Sequence, residues 1–582
     1  MHPLVSQTFS VILLVLGFGF VIFWHELGHF LAAKWVGIKV EQFAVGFGHA
    51  LFSWRKGLGW RVGSSAKEYE AAREKRVTDI GETEYRLNWI PLGGYVKMLG
   101  QDDLKPGAEA EDPRAYNRQS IGARMLVVSA GVIMNIILAA IGFMVLFLIG
   151  FDAPPPIVGK VMPGSPAQKT VLASDPKQAA PLQVGDELLY FDDKYQHDFT
   201  KITLNVALAE EGEATPLLVR RRDGREEQLL VYPARSQMEG NFLMLGVGQP
   251  LELRGLKANE ASLVEDAAQR VSPDTLAVKP GETIVEVNGQ PVGIKDYWKL
   301  DQALQESDGK PVTLTVLAID GTRRPVQISP HFEDHFGRGP NDQFNIAGFV
   351  PRPAVQMIPE DSLVKDVLRP GDVIAAIEVA GKVIRDPDSK ELVKQLNLAG
   401  QQDQPVKITY LRDGKEATSP EIRPTMRVGK DESGSTRYGL GILLTNEERE
   451  PVVADLMPGS APSTAHVPVG STIESINRKP VADWFEVNQA LRAAEPGQQI
   501  KLAARTPEGE SKEFTLTLSQ LQADEVAANR YTHWMVLHEY ERPRRTSNPL
   551  TAAAWGVTET RDFILQFYLT LQRMVQGRIS HK

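Results

Sequence analysis

The residues best equipped for chemistry are His25-Glu26-Leu27-Gly28-His29. On a helix, residues i and i+4 share a face, so His25 and His29 can both offer an imidazole nitrogen to one ion. Neutral imidazole suits Zn²⁺, and catalytic zinc sites keep three protein ligands and one open position for water. Glu26 sits one residue on, placed to act as general base on a water that zinc acidifies to a pKa of about 7. That equipment attacks a peptide carbonyl. The three ionisable residues lie within an otherwise apolar run, where they are expensive to bury and mark function. The plainer reading is that the two histidines are interfacial residues at the end of a hydrophobic helix.

The elements that must hold this motif are legible on either side of it. Leu4 to Trp24 carries no charge, and apolar character resumes from Phe30 to Ala33, ending near Lys34. A second uncharged run extends from Met125 to Phe151. Each is long enough to cross a bilayer core, which needs about 20 residues. A cleaved signal peptide is the alternative for the first run, but no Lys or Arg precedes it and no small-residue cleavage site follows it. Lys34, Lys39, Arg55, Lys56, Arg114, Arg118 and Arg124 lie between the two runs. The positive-inside rule therefore makes that segment cytoplasmic and places the rest of the chain outside.

Composition excludes several classes. The chain has 582 residues, too many for one core, with a net charge of −9 and a mean hydropathy of −0.21. Mild acidity without a basic, aromatic-interleaved stripe argues against nucleic acid as a partner. The absence of cysteine removes disulfides, thiolate catalysis and Cys-ligated zinc or iron–sulfur sites.

Beyond residue 155 the chain repeats itself. The stretches LQVGDELLYFDD, VKPGETIVEVNG, LRPGDVIAAIEVAG and VPVGSTIESINR carry Gly185, Gly281, Gly371 and Gly470, spaced by 96, 90 and 99 residues. Each leads into a helix-like segment and then a β-branched strand that ends in a turn: Asp223-Gly224, Asp320-Gly321, Asp413-Gly414 and Glu508-Gly509. Asp-Gly between strands signals a hairpin in which both central positions take φ > 0. Four small α+β modules are expected, over 155–236, 241–333, 343–426 and 437–520. The fold class is thus multidomain: an α-helical transmembrane region over 1–150 followed by α+β modules in tandem.

The order turn, strand, helix, strand, hairpin resembles PDZ domains in the permuted form found in bacterial envelope proteases. Three modules are expected to open with a Gly-containing apolar stretch: LMLGVG (243–248), NIAGFV (345–350) and YGLGIL (438–443). Of these, Gly439, Leu440, Gly441 and Ile442 look most like the PDZ loop whose backbone N–H groups hold a peptide C-terminus. The bland reading is that some modules only space or block the active site.

FWHELGHFLAAKWVGIKVEQFAVGFG (23–48), ETEYRLNWIPLGGYVKMLG (82–100) and AYNRQSIGARMLVVSAGVIMNIILA (115–139) together resemble the site-2 protease family of its bacterial regulator-of-sigma-E type. The resemblance implies an intramembrane zinc metalloendopeptidase of the bacterial cytoplasmic membrane, cutting membrane-spanning substrates such as anti-sigma factors and remnant signal peptides. It implies that 82–100 forms a membrane-dipping hairpin beside the active site, and that Gly93, Gly94, Tyr95 and Asn135 contact substrate. Two PDZ modules are usual there, against four here, and the family often has Pro where this chain has Val132. Family members also carry a further transmembrane helix with a Leu-Asp-Gly motif, whose Asp is the third zinc ligand. The segment 549–582 resembles the stretch before that helix and reads as a surface-lying amphipathic helix, with Phe563, Phe567, Leu571 and Met574 at helical spacing. The expectation is therefore a truncated sequence, inactive as written for want of a third ligand. The competing reading is a membrane-tethered PDZ scaffold that binds exposed protein ends without cutting them. A soluble zinc protease behind a signal anchor is disfavoured by the motif's position inside the apolar run.

Overall fold

The computed structural model describes residues 3–75, 77, 79–101, 112–236, 242–257, 275, 277–336, 343–430 and 436–575. The chain forms two compact units, Met1–Phe151 with Pro543–Tyr568, and Asp152–Arg542 with Leu569–Lys582.

The first unit is built on two long helices, α1 (Pro3–Trp35) and α3 (Ile121–Ile149), with a sheet of β1 (Val40–Arg55), β2 (Gly59–Val62) and β3 (Glu84–Met98) between them in sequence, and a short helix α2 (Ala66–Glu74). Ser120 caps α3 by accepting from the Ala123 amide, and Gly150 ends it at φ +93°. Among the described residues, Leu13–Trp35 and Ile121–Ile149 are long and apolar enough to cross a membrane, with mean hydropathy 1.5 and 2.9. Their outer faces expose large apolar side chains, among them Leu14, Phe18, Met125 and Val128.

The hairpin expected over 82–100 is not one. Its two arms do not pair with each other; Gly94–Met98 and Glu84–Leu87 flank the same stretch of β1, Val40–Val45, and Glu84–Leu87 is bordered in turn by Phe52–Trp54. Gly46 and Gly48, at φ +82° and +88°, turn β1 back on itself so that this arm fits between its halves. Glu84 is fully buried where the strands meet, paired with Arg55 at 3.5 Å and Arg86 at 2.8 Å. Burial alone would raise its carboxyl. Hydrogen bonds from Arg86 and from the Ser65 amide and hydroxyl outweigh that and hold it down to about 2.

In the second unit the repeat is plain. Strands Glu187–Phe191, Thr283–Val287, Val373–Val379 and Thr472–Ile476 each lead to a helix: Phe199–Ala207, Tyr297–Gln305, Ser389–Gln401 and Trp484–Arg492. Asp198, Asp388 and Asp483 cap three of these helices through their side chains. All four Gly turns join antiparallel strands. Both central residues have positive φ only at Asp413-Gly414; at the other three sites glycine alone does. The expectation of two left-handed residues per turn therefore holds once.

Module boundaries differ from the repeat spacing because closing strands are exchanged. Val247–Gly248 pairs with Lys160–Val161, so 243–248 closes the first module rather than opening the second. Leu443–Asn446 likewise pairs with Pro353–Met357 and closes the third. Phe349–Pro351 pairs with Val453–Leu456, and Phe344, Ile346 and Phe349 share a core with Trp484, Ile500 and Leu516. The third module is thus inserted within the fourth. The second is closed from further away: Tyr531–Thr532 pairs with His331–Phe332, and Met535 and Leu537 pack with Leu253 and Ile284. Each module needs an edge strand to cover its core, and that strand can come from any point of the chain that returns there.

The surface-lying helix expected over 549–582 is also revised. A helix runs from Pro549 to Val575, and 576–582 lie outside the described residues. Its first half packs on α3: Ala552 and Thr560 are buried, Trp555 meets the Phe147 ring edge-on at 5.4 Å, and a Cβ on Gly556 would lie 2.5 Å from the Ala140 carbonyl oxygen. Ala, Gly and Thr make one face flat enough for close approach. Phe563, Phe567 and Leu571 remain exposed.

Candidate metal centre

Helices α1 and α3 cross at two glycines. A Cβ on Gly28 would lie 2.4 Å from the Ala130 carbonyl oxygen, and one on Gly131 would lie 2.5 Å from His25 Nε2 and 2.6 Å from His29 Nε2. No residue but glycine lets the backbones approach this closely. Trp24 Nε1 donates to the Met134 carbonyl at 3.0 Å and fixes the register of the crossing.

The crossing brings the two imidazoles edge to face, with ring centroids 4.8 Å apart. Their Nε2 atoms are 3.2 Å from one another. His29 Nδ1 donates to the Val127 carbonyl at 2.7 Å, which leaves its Nε2 with the free lone pair. His25 Nδ1 lies 3.0 Å from the Asn135 side-chain amide. Two nitrogens each about 2.05 Å from a tetrahedral zinc lie about 3.3 Å apart, so the pair has the spacing of two ligands to one ion. His25, Glu26 and His29 each offer a ligand atom within 4.8 Å of the others. Glu26 faces the edge arm of β3, its Cγ 3.4 Å from where a Gly94 Cβ would stand and its carboxyl near the Val96 amide.

Of the residues expected to contact substrate, Gly94 and Asn135 are beside the motif. Asn135 meets His25 itself, so its described partner is one of the two candidate ligands. Gly93, at φ +90°, is packed under the Phe47 ring. Tyr95 points to the other face of the strand, stacked with Phe47 at 6.4 Å and donating to Gln42 at 3.2 Å. Alternation along a strand puts Gly94 and Tyr95 on opposite sides. Gly131 and Val127 were not singled out from the sequence. The signal was available: Gly131 and Asn135 are four apart on α3, the spacing of the histidines on α1.

The sequence as a whole places the site in a family. The family model for Peptidase family M50 matches residues 13–62 and 75–582. The chain belongs to Peptidase family M50. It is 30% identical over 322 residues to the regulator of sigma-E protease RseP of Escherichia coli K12, covering 52% of this chain and 62% of that one. It is 26% identical over 389 residues to the corresponding protein of Salmonella typhimurium, covering 65% and 74%. A Clostridium acetobutylicum protein named as a candidate zinc metalloprotease is 33% identical over 236 residues, 40% of this M50 chain and 57% of the relative. The chain spans a little over half the length of the first curated relatives it matches, 57% and 51%.

In the third module, Gly441 takes φ +72° and Leu440 is buried, its carbonyl accepting from the Ser362 hydroxyl at 2.9 Å and the Leu363 amide at 3.1 Å. The amides of Leu440, Gly441 and Ile442 have no hydrogen-bond partner among the described residues. The comparable 345–350 stretch is closed on itself: Ile346 and Phe349 exchange both backbone bonds, and the Gly348 amide donates to Asn345.

Proposed function

We propose that this chain is the catalytic part of a zinc-dependent endopeptidase that cuts membrane-spanning proteins within or beside the bilayer, with anti-sigma factors and remnant signal peptides as the substrate class. The observation that carries the reading is the 3.2 Å Nε2 pair of His25 and His29, built into a helix apolar enough to span a membrane. Zinc would supply a polarised, acidified water there. Glu26 would take the proton from that water and pass it to the leaving amine. The Gly94–Met98 arm, at the end of its sheet, is suited to align an extended peptide beside Glu26 by strand addition. In this reading both apolar helices cross the bacterial cytoplasmic membrane, and the modules, read as PDZ-like, lie outside the cytoplasm. The amides of Leu440, Gly441 and Ile442, without a hydrogen-bond partner among the described residues, favour capture of peptide C-termini by the third module, since successive N–H groups in a glycine turn form an anion-binding concavity.

The test is made in cells producing the full-length gene product. Glu26→Gln is expected to abolish cleavage of a membrane-spanning reporter while the purified variant still carries one zinc per chain; His25→Ala is expected to lose both. Cleavage that survives Glu26→Gln would overturn the assignment of the base.

A further inference from the structure

We propose that Asn135 is a positioning residue for the metal site, accepting the Nδ1 proton of His25 through its side-chain oxygen and so fixing the tautomer in which Nε2 is free to ligate. This rests on the zinc reading above and assigns a role different from substrate contact.

The argument starts from the two rings. His29 is already committed: with its Nδ1 proton on the Val127 carbonyl, its Nε2 bears only a lone pair. His25 faces that lone pair at 3.2 Å. If the Asn135 NH₂ group donates to His25 Nδ1, the ring's proton must sit on Nε2, where it bonds to His29 and closes the site to a cation. If the amide is turned over, the oxygen accepts from Nδ1–H, and both Nε2 lone pairs converge on one point. The two amide orientations have the same heavy-atom shape, so the surrounding packing admits both. The orientation is therefore coupled to occupancy: one satisfies an empty site, the other a loaded one.

Burial separates this from a role in substrate binding. As placed, Asn135 Nδ2 is the atom 3.0 Å from His25 Nδ1, and Oδ1 is buried with no hydrogen-bond partner among the described residues; turning the amide over exchanges the two. The side chain thus makes its described hydrogen bond to His25 and presents little to an incoming peptide. Asn135 also stands one helical turn beyond Gly131, whose missing Cβ makes room for both Nε2 atoms. Two positions on one face of α3 therefore serve the histidines, one by leaving space and one by holding a proton. Ligating histidines generally donate their second nitrogen in this way, and loss of that partner typically weakens metal binding about 10–100-fold.

The experiment measures zinc affinity of the purified full-length gene product by competition with a chromophoric chelator. Asn135→Leu keeps the size and removes the acceptor; Asn135→Asp keeps the acceptor. Asn135→Leu is expected to bind zinc about 10–100-fold more weakly and to shift the visible absorption of the cobalt-substituted site. Asn135→Asp is expected to retain the parent's affinity or exceed it. Metal-free thermal melts show whether either variant is misfolded, and rescue by Asp separates a hydrogen-bond role from a packing role. Parent-like affinity in Asn135→Leu, or a loss in Asn135→Asp equal to that in Asn135→Leu, overturns the inference. A parent chain that binds no zinc overturns the metal reading itself and the inference with it.

Discussion

An alanine at position 131 adds one methyl group to α3, and helix propensity alone would favour it by about 0.8–1.0 kcal/mol. The histidine pair opposes that gain. The new Cβ would stand 2.5 Å from His25 Nε2 and 2.6 Å from His29 Nε2, where uncharged contacts need about 3.5 Å. It would occupy the space in front of both nitrogens. Neither ring can swing away freely, because His29 is tied to Val127 at 2.7 Å and His25 to Asn135 at 3.0 Å. The helices can part instead, but Gly28 and Ala130 then lose their close approach and the nitrogens separate. In either case the Nε2 pair is lost, and zinc affinity should fall at least ~100-fold, about 2.7 kcal/mol. The comparison is Gly142→Ala on the same helix, where an added Cβ meets nothing within 4 Å. Chelator competition and melting of both variants in detergent decide the matter. Gly142→Ala should bind zinc like the parent and melt no lower. If Gly131→Ala binds zinc within about threefold of the parent, the two histidines do not share an ion through Nε2.

Two further expectations concern the sheet and the third module. Glu84 is held down to about 2 in the fold, against 4.5 ordinarily. The stabilisation from its ionised form is present above about 4.5 and is lost as pH falls toward 2; an acid titration of the first unit should show this slope, and Glu84→Gln should flatten it. An unchanged slope in the variant would mean that the Arg55–Glu84–Arg86 cluster does not govern acid stability. Gly441→Ala forces a side chain into the left-handed region at a cost of about 1–2 kcal/mol and should weaken binding of a peptide with a free C-terminus about tenfold. Gly414→Ala, strained in the same way at φ +73° with open space around it, should lower stability without changing peptide affinity; equal loss of binding in both would remove the loop from the peptide site.

Local sequence determined the helix that carries His25, Glu26 and His29, because i, i+4 spacing and an uninterrupted apolar run need no distant partner to be read. It also determined the repeated strand–helix–hairpin order, since glycine turns, Asp caps and alternating strands act over a few residues. What completes each part was decided by contacts far apart in the chain. Asn135 and His25 are separated by 110 positions, and only the crossing of α1 and α3 joins them. Gly131 looked like an ordinary small residue until two imidazoles were packed against it. The 82–100 stretch has the glycines of a hairpin, yet its arms bond to β1 rather than to one another. The repeat fixed how many modules there are but not which strand closes each, because a strand's alternation is the same whichever sheet edge it joins. Burial selects the edge, and burial is a property of the whole assembled unit.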